Sequence, residues 1–166
     1  LGMSYIVLMP VFAKDIHHGG ADTLGFMMGA VGIGALVATL WLASREKPPT
    51  LEKTVPAAAA IFSTGIILFA LSRVLWVSIV LLMATGFGFL ATTASFNTII
   101  QNTVHDDKRG RVMSLYAMAF IGMAPIGSLS AGAIANKLGA TDALLIGGFA
   151  CLFATLVFYR LTHPRN

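Results

Sequence analysis

The chain has 166 residues, 57% of them hydrophobic and 11% charged, with eleven Lys and Arg against seven Asp and Glu and a net charge of +4. An ordinary soluble domain carries about 25% charge, so a soluble globular fold is excluded. The bases sit in short links between apolar runs, so their excess reads as membrane orientation and not as affinity for nucleic acid.

The first span, residues 1–12, ends at Lys14–Asp15 and is shorter than the roughly 20 apolar residues a bilayer core requires. It reads as a truncated first helix, and the chain as most of half of a larger membrane protein. The link Asp15–Asp22 contains the turn pair Gly19–Gly20, and Asp22 or Thr23 is the expected N-cap of the next helix. Adjacent side chains diverge, so His17 and His18 read as exposed loop polarity and not as metal ligands. The second span, Thr23–Ala43, carries Gly25-x-x-x-Gly29 and Gly32-x-Gly34, a spacing that lets helices pack closely. Pro48–Pro49 forbid a helix through the polar link Ser44–Lys53. The third span is Thr54–Ser72, and a tight turn at Arg73 leads to the fourth, Leu75–Gln101.

The link Asn102–Arg111 precedes the fifth span, Val112–Asn136. After Lys137–Asp142 comes the sixth, Ala143–Leu161, then a short tail. Continuous apolar runs of this length are helices, since barrel strands alternate over roughly 10 residues. The fold class is therefore an all-α membrane protein. The single cysteine, Cys151, cannot form an intramolecular disulfide. There is no phosphate-binding loop, no His-Glu-x-x-His and no catalytic triad, so neither a catalytic nor a metal site is expected, and no enzyme.

Links alternate sides. One side collects Arg45, Lys47, Lys53, Lys108, Arg109, Arg111, Arg160 and Arg165, against Lys14, Arg73 and Lys137 on the other. The richer side is the cytoplasmic one, and the C-terminus belongs there. Trp41, Tyr116 and Tyr159 fall near cytoplasmic ends and Trp76 near an outer end, as interfacial aromatics do.

Three groups of residues stand out. Asp106 and Asp107 fall where a helix N-terminus favours carboxylates, and Arg109 and Arg111 follow within a turn. Gly110 between them weakens a helix by about 1 kcal/mol relative to Ala, which implies close approach by another backbone. The fifth span holds Gly122, Pro125 and Gly127, where the proline frees a carbonyl among small residues. Thr93, Asn97 and Gln101 share one face of the fourth span at i, i+4 spacing. Such amides line a cavity or bond a neighbouring helix. All seven acids lie at or beyond span ends, so no intramembrane group is available to titrate.

The segments Phe96-Asn97-Thr98-Ile99-Ile100-Gln101, Asp106-Asp107-Lys108-Arg109-Gly110-Arg111-Val112-Met113-Ser114-Leu115-Tyr116 and Gly122-Met123-Ala124-Pro125-Ile126-Gly127 follow one another in an order that resembles the major facilitator superfamily. With the opening Leu8-Met9-Pro10-Val11-Phe12-Ala13-Lys14-Asp15, they resemble its C-terminal half, helices seven to twelve. The branch they resemble contains enterobactin-type siderophore exporters and macrolide-efflux-like permeases. The link Ser44–Lys53 departs from the superfamily in lacking its Gly-x-x-x-Asp-Arg-x-Gly-Arg pattern.

The resemblance implies two inverted three-helix repeats and a partner N-terminal six-helix half. The expected activity is alternating-access efflux of a lipophilic or amphipathic small molecule across the bacterial inner membrane. No cofactor is expected; if transport is proton-coupled, the titrating residue falls in the missing half. Membrane lipid, the other half and the small-molecule substrate are the expected partners. In this frame Asp106, Asp107, Arg109, Gly110 and Arg111 form a cytoplasmic gate, with topology anchoring and anionic-lipid contact as the plainer reading. Gly122, Pro125 and Gly127 are the counterpart of the superfamily's Gly/Pro-rich fifth helix, or ordinary packing. Thr93, Asn97 and Gln101 line the substrate path. The rival from another class is a non-transporting multi-helix scaffold or assembly subunit.

The orientation has a direct test. A cysteine replacing Thr50 is expected to react only from the cytoplasm and one replacing Gly19 only from outside; the reverse pattern overturns the topology.

Overall fold

The computed structural model describes residues 4–45 and 54–162. Among these the order is α1 (Ser4–Val11), a π-helical turn (Phe12–Ile16), α2 (Ala21–Ala43), α3 (Thr54–Leu71), α4 (Leu75–Thr103), α5 (Asp106–Leu138) and α6 (Ala140–Thr162), with no strand. Helices α2 to α6 are each long and apolar enough to cross a membrane. The charges and prolines expected between α2 and α3 (Glu46, Lys47, Pro48, Pro49, Glu52 and Lys53), Thr50 and the tail base Arg165 lie outside the described residues.

The links are shorter than the hydropathy pattern predicts. The link expected over residues 102–111 is nearly all helix, because α4 runs to Thr103 and α5 begins at Asp106. Hydropathy marks where a helix leaves the apolar layer, not where it ends, and Asp106 and Asp107 in the first turn favour continuing it. The N-cap of α2 is Gly20, which offers no side-chain cap; Asp22 and Thr23, the two expected caps, both sit inside the first turn. A single residue, Gly139, separates α5 from α6 with φ of 99°. Only glycine adopts that conformation without steric cost, and it ends a helix well.

Helix α4 is the hub, packed along both α2 and α3, while α3 also packs on α6 and α6 on α5. Helix α1 touches α2, α5 and α6. The core forms around Tyr5, Leu8, Met9 and Phe12 with Phe62, Ile66 and Phe69. The Phe12 and Phe69 rings meet at 4.9 Å.

Close crossing of α2 and α4 is set by two glycines. A Cβ on Gly34 would collide with the Met83 carbonyl, and one on Gly86 with the Val31 carbonyl. On α4, Gly88 lies equally close to the backbone of Ala58 and Phe62 in α3. The expected close packing therefore holds at Gly34, whereas Gly25, Gly29 and Gly32 face open space.

Most hydroxyls inside the spans are satisfied locally; among the described residues the buried Ser95 Oγ is without a partner. Thr39, Ser63, Thr85, Thr92, Thr93, Thr98, Ser128 and Thr155 each donate to the carbonyl one turn back, at 2.7–3.0 Å. In an apolar layer that back-bond replaces the missing water.

Helix α5 buries only Gly127 and Ala131. Its residues Leu115, Met118, Ile121, Met123, Ile126 and Leu129 are 60–76% exposed. A run of that kind facing water is an association or membrane surface.

Gly34→Ala is expected to destabilise the protein by about 1–3 kcal/mol, the range for overpacking a well-filled contact, because the opposing atom is backbone. Gly29→Ala, with open space around it, is expected to leave stability unchanged or raise it by up to about 1 kcal/mol, the difference in helix propensity. Thermal unfolding in one detergent compares the two.

Candidate functional site

The basic end of α5 is built on its first turn. His105 occupies the N-cap position without a side-chain cap, and Asp106 and Asp107 stand beside the unpaired amides instead. Arg109 Nη2 pairs with Asp106 Oδ1 at 2.7 Å across three residues, both side chains being largely exposed. An exposed pair of this kind is worth about 0–1 kcal/mol. Asp107, Lys108, Gly110 and Arg111 are exposed. A Cβ at Gly110 would meet open space, so among the described residues no backbone makes the close approach the sequence implies there. The arrangement leaves Arg109 free to exchange one carboxylate for another at little energetic cost.

Helix α5 continues unbroken through Pro125. The proline ring removes the amide that would bond Ile121. Gly122 and Pro125, three residues apart, share an exposed face, whereas Gly127 lies on the buried one. Gly122 faces open space on the side shared with Leu115, Met118 and Ile126.

On α4, Thr93 and Asn97 are half-buried and Gln101 is exposed, so the face becomes more open toward the end of the helix. Thr93 is already engaged with the Phe89 carbonyl at 2.8 Å. Asn97 is different: its Oδ1 is buried and has no hydrogen-bond partner among the described residues. An unmet buried acceptor costs about 1–3 kcal/mol, so a donor from elsewhere is favoured at this point.

One turn away opens a cavity of about 360 Å³ between α3, α4 and α5. Its walls are the rings of Phe62, Phe89, Phe96, Tyr116 and Phe120, with Thr92 and Thr93 beside them. Phe62 and Phe89 meet at 5.7 Å, Phe89 and Phe120 at 6.4 Å, and Tyr116 and Phe120 at 6.1 Å. Both threonines have given their protons to carbonyls of α4, so they offer only lone pairs inward. Among the described residues the cavity carries no charged side chain. Of the candidate gate and path residues read from the sequence, the fold brings Thr93 to this wall; the basic end of α5 and the Gly122–Gly127 segment are not in its lining. The aromatic wall itself was not anticipated, although Phe89 and Phe96 at i, i+7 and Tyr116 and Phe120 at i, i+4 each mark one helix face.

The other departure is His17. It is half-buried and hydrogen-bonded to the buried Ser78, at 3.1 Å, so it is not simply exposed loop polarity. At the end of α2, the Arg45 guanidinium lies over the Trp41 ring at 3.8 Å, a cation–π contact that holds a base at the helix end.

A family model described as transmembrane secretion effector matches residues 2–166. No curated protein and no solved structure matches the chain.

Arg109→Ala removes one exposed pair, so thermal stability is expected to change by less than about 1 kcal/mol. If the pair is a gate, the reactivity of a cysteine replacing Gln101 shifts in the same variant, and Arg109→Lys restores it only in part, because Lys lacks the bidentate fork. Unchanged reactivity leaves Arg109 as a charged helix end.

Proposed function

The chain belongs to the transmembrane secretion effector family of major facilitator transporters, and from that we propose that it is the C-terminal six-helix half of an exporter. The cargo is a lipophilic or amphipathic small molecule moved by alternating access, the class expected from the enterobactin-exporter and macrolide-efflux resemblance. A second set of six helices would meet this one across the open faces of α2 and α5. The setting is a bacterial cytoplasmic membrane with the end of α6 in the cytoplasm.

The observation that carries the cargo reading is the unmet Asn97 Oδ1 one turn from an uncharged, aromatic-walled cavity. Five rings give an apolar cargo a large contact area, and Asn97 Oδ1, with the lone pairs of Thr92 and Thr93, favours cargoes that present a donor. A fixed charge on the cargo would find no counter-charge there. The acids Asp15, Asp22, Asp106, Asp107 and Asp142 stand in the links or in the first turn of a helix, so a proton-coupled cycle would titrate in the other half. On this reading Arg109, with Asp106 and Asp107, closes the cytoplasmic side in one state and releases it in the other.

The test uses the complete protein in vesicles loaded with a lipophilic dye. Asn97→Leu is expected to lower saturable efflux several-fold while folded yield stays near wild type, because no bond inside the fold is lost. A fall in yield matching the fall in efflux would make Asn97 an interhelical bond, whose average worth is about 0.6 kcal/mol in one membrane protein. Absence of saturable flux in the wild type favours the scaffold reading. A cysteine at Thr92 that is unreactive with and without dye would mean that protein, not cargo, fills the cavity.

A further inference from the structure

A proline inside a membrane helix leaves one carbonyl without its amide, and on α5 that carbonyl belongs to Ile121. The helix continues unbroken past Pro125, so the α pattern commits the Ala124 and Ile126 amides to Phe120 and Gly122. The serines of α5 do not fill the gap. Ser114 donates to the Arg111 carbonyl at 2.8 Å, Ser128 to Ala124 at 2.9 Å and Ser130 to Gly127 at 2.9 Å.

Depth makes the gap costly. Helix α5 has 33 residues with Ile121 close to its middle. At 1.5 Å per residue the carbonyl lies more than roughly 20 Å from either end, inside an apolar layer about 30 Å thick. It is also outside the aromatic cavity, whose α5 wall is Tyr116 and Phe120. Ile121 is 69% exposed, and Gly122 and Pro125 face outward beside it, with open space where a Gly122 side chain would stand. A neighbouring helix can therefore reach this carbonyl, whereas acyl chains have no donor to give it.

We propose that a side-chain amide, Asn or Gln, on one of the other six helices donates to the Ile121 carbonyl across Gly122 and fixes the height at which the two halves meet. This rests on the reading of the chain as half of a transporter. Three arguments choose the donor. A Lys or Arg would be left without a counter-charge, because α5 has no acid beyond Asp107. A hydroxyl has one proton, and inside this fold such protons go to the carbonyl one turn back, as those of Thr85, Thr92 and Ser128 do. An indole favours the membrane interface and not this depth. A carboxamide carries two N–H donors and no charge.

Carbonyl carbon shifts report the bond, since they move downfield when a donor is present. The complete protein is labelled in this chain alone, with ¹³C at Ile carbonyls and ¹⁵N at Gly. Ile–Gly pairs begin at Ile33, Ile121, Ile126 and Ile146, and the signal lost in Gly122→Ala belongs to Ile121. The other three lie within helices whose amides reach them, so they serve as bonded references. The Ile121 signal should fall among them. In a second sample ¹⁵N is confined to side-chain amides of the other half, and dipolar coupling should attenuate Ile121 but none of the references. In Pro125→Ala the new backbone amide takes the carbonyl, and that attenuation should disappear.

An Ile121 signal upfield of the references overturns the proposal. So does a bonded carbonyl that the ¹⁵N amides leave unattenuated, because water or another group is then its donor. Oxygen collisions with a spin label replacing Leu129 report separately whether other helices cover this face. A covered Leu129 with a free carbonyl refutes the amide alone; a Leu129 open to lipid refutes the half-transporter reading with it.

Discussion

In an apolar layer a polar group that finds no partner inside the protein finds none at all, and the rest of this structure depends on that constraint. Thr85, Thr92, Thr93 and Thr98 all turn back to carbonyls of their own helix α4. None of these hydroxyls holds α4 to its neighbours, so shape must do so. Gly34 and Gly86 let α2 and α4 approach until each backbone meets the other, and Gly88 does the same toward α3. Close backbone approach of this kind is how helices associate where lipid is as apolar as the side chains. The hub position of α4 follows from its having glycine on the sides facing both neighbours.

The same constraint makes exceptions informative. Asn97 Oδ1 only accepts, so it cannot bond back to a carbonyl as a threonine hydroxyl does, and it is left without a described partner, as is Ser95 Oγ. The face of α5 around Gly122 and Leu129 is the other exception, because it is apolar and uncovered within this chain. One exception asks for a donor and the other for a covering surface. On the proposed function, a cargo would meet the first and a second set of helices the second.

The spans were legible because each is fixed by a single local property, apolar length, and α2, α3, α4 and α6 end within three residues of where hydropathy places them. Links were less so: residues 106–111 are polar yet helical, since Asp106 and Asp107 suit a helix start whatever their hydropathy. Helix rotation was not legible. The moments of these helices are nearly flat because they are apolar all round, so nothing local says that Phe62, Phe89 and Phe120 converge while Gly25, Gly29 and Gly32 do not pack. His17 and Ser78 are 61 residues apart, and only the tertiary fold joins them. Ser72 beside Arg73 and Ser78 near the start of α4 were the available hint.

The uncovered face of α5 decides the account most directly. Spin labels replacing Met118, Gly122, Ile126 and Leu129, one at a time, report collision with oxygen, which concentrates in lipid, and with a water-soluble nickel complex. In bilayers holding residues 1–166 alone, all four should collide freely with oxygen. In the protein that carries the other six helices, collisions with both reagents should fall at Gly122 and its neighbours on that face. Oxygen collisions that remain equally high in both proteins would make this face a lipid surface and contradict the reading of the chain as half of a transporter.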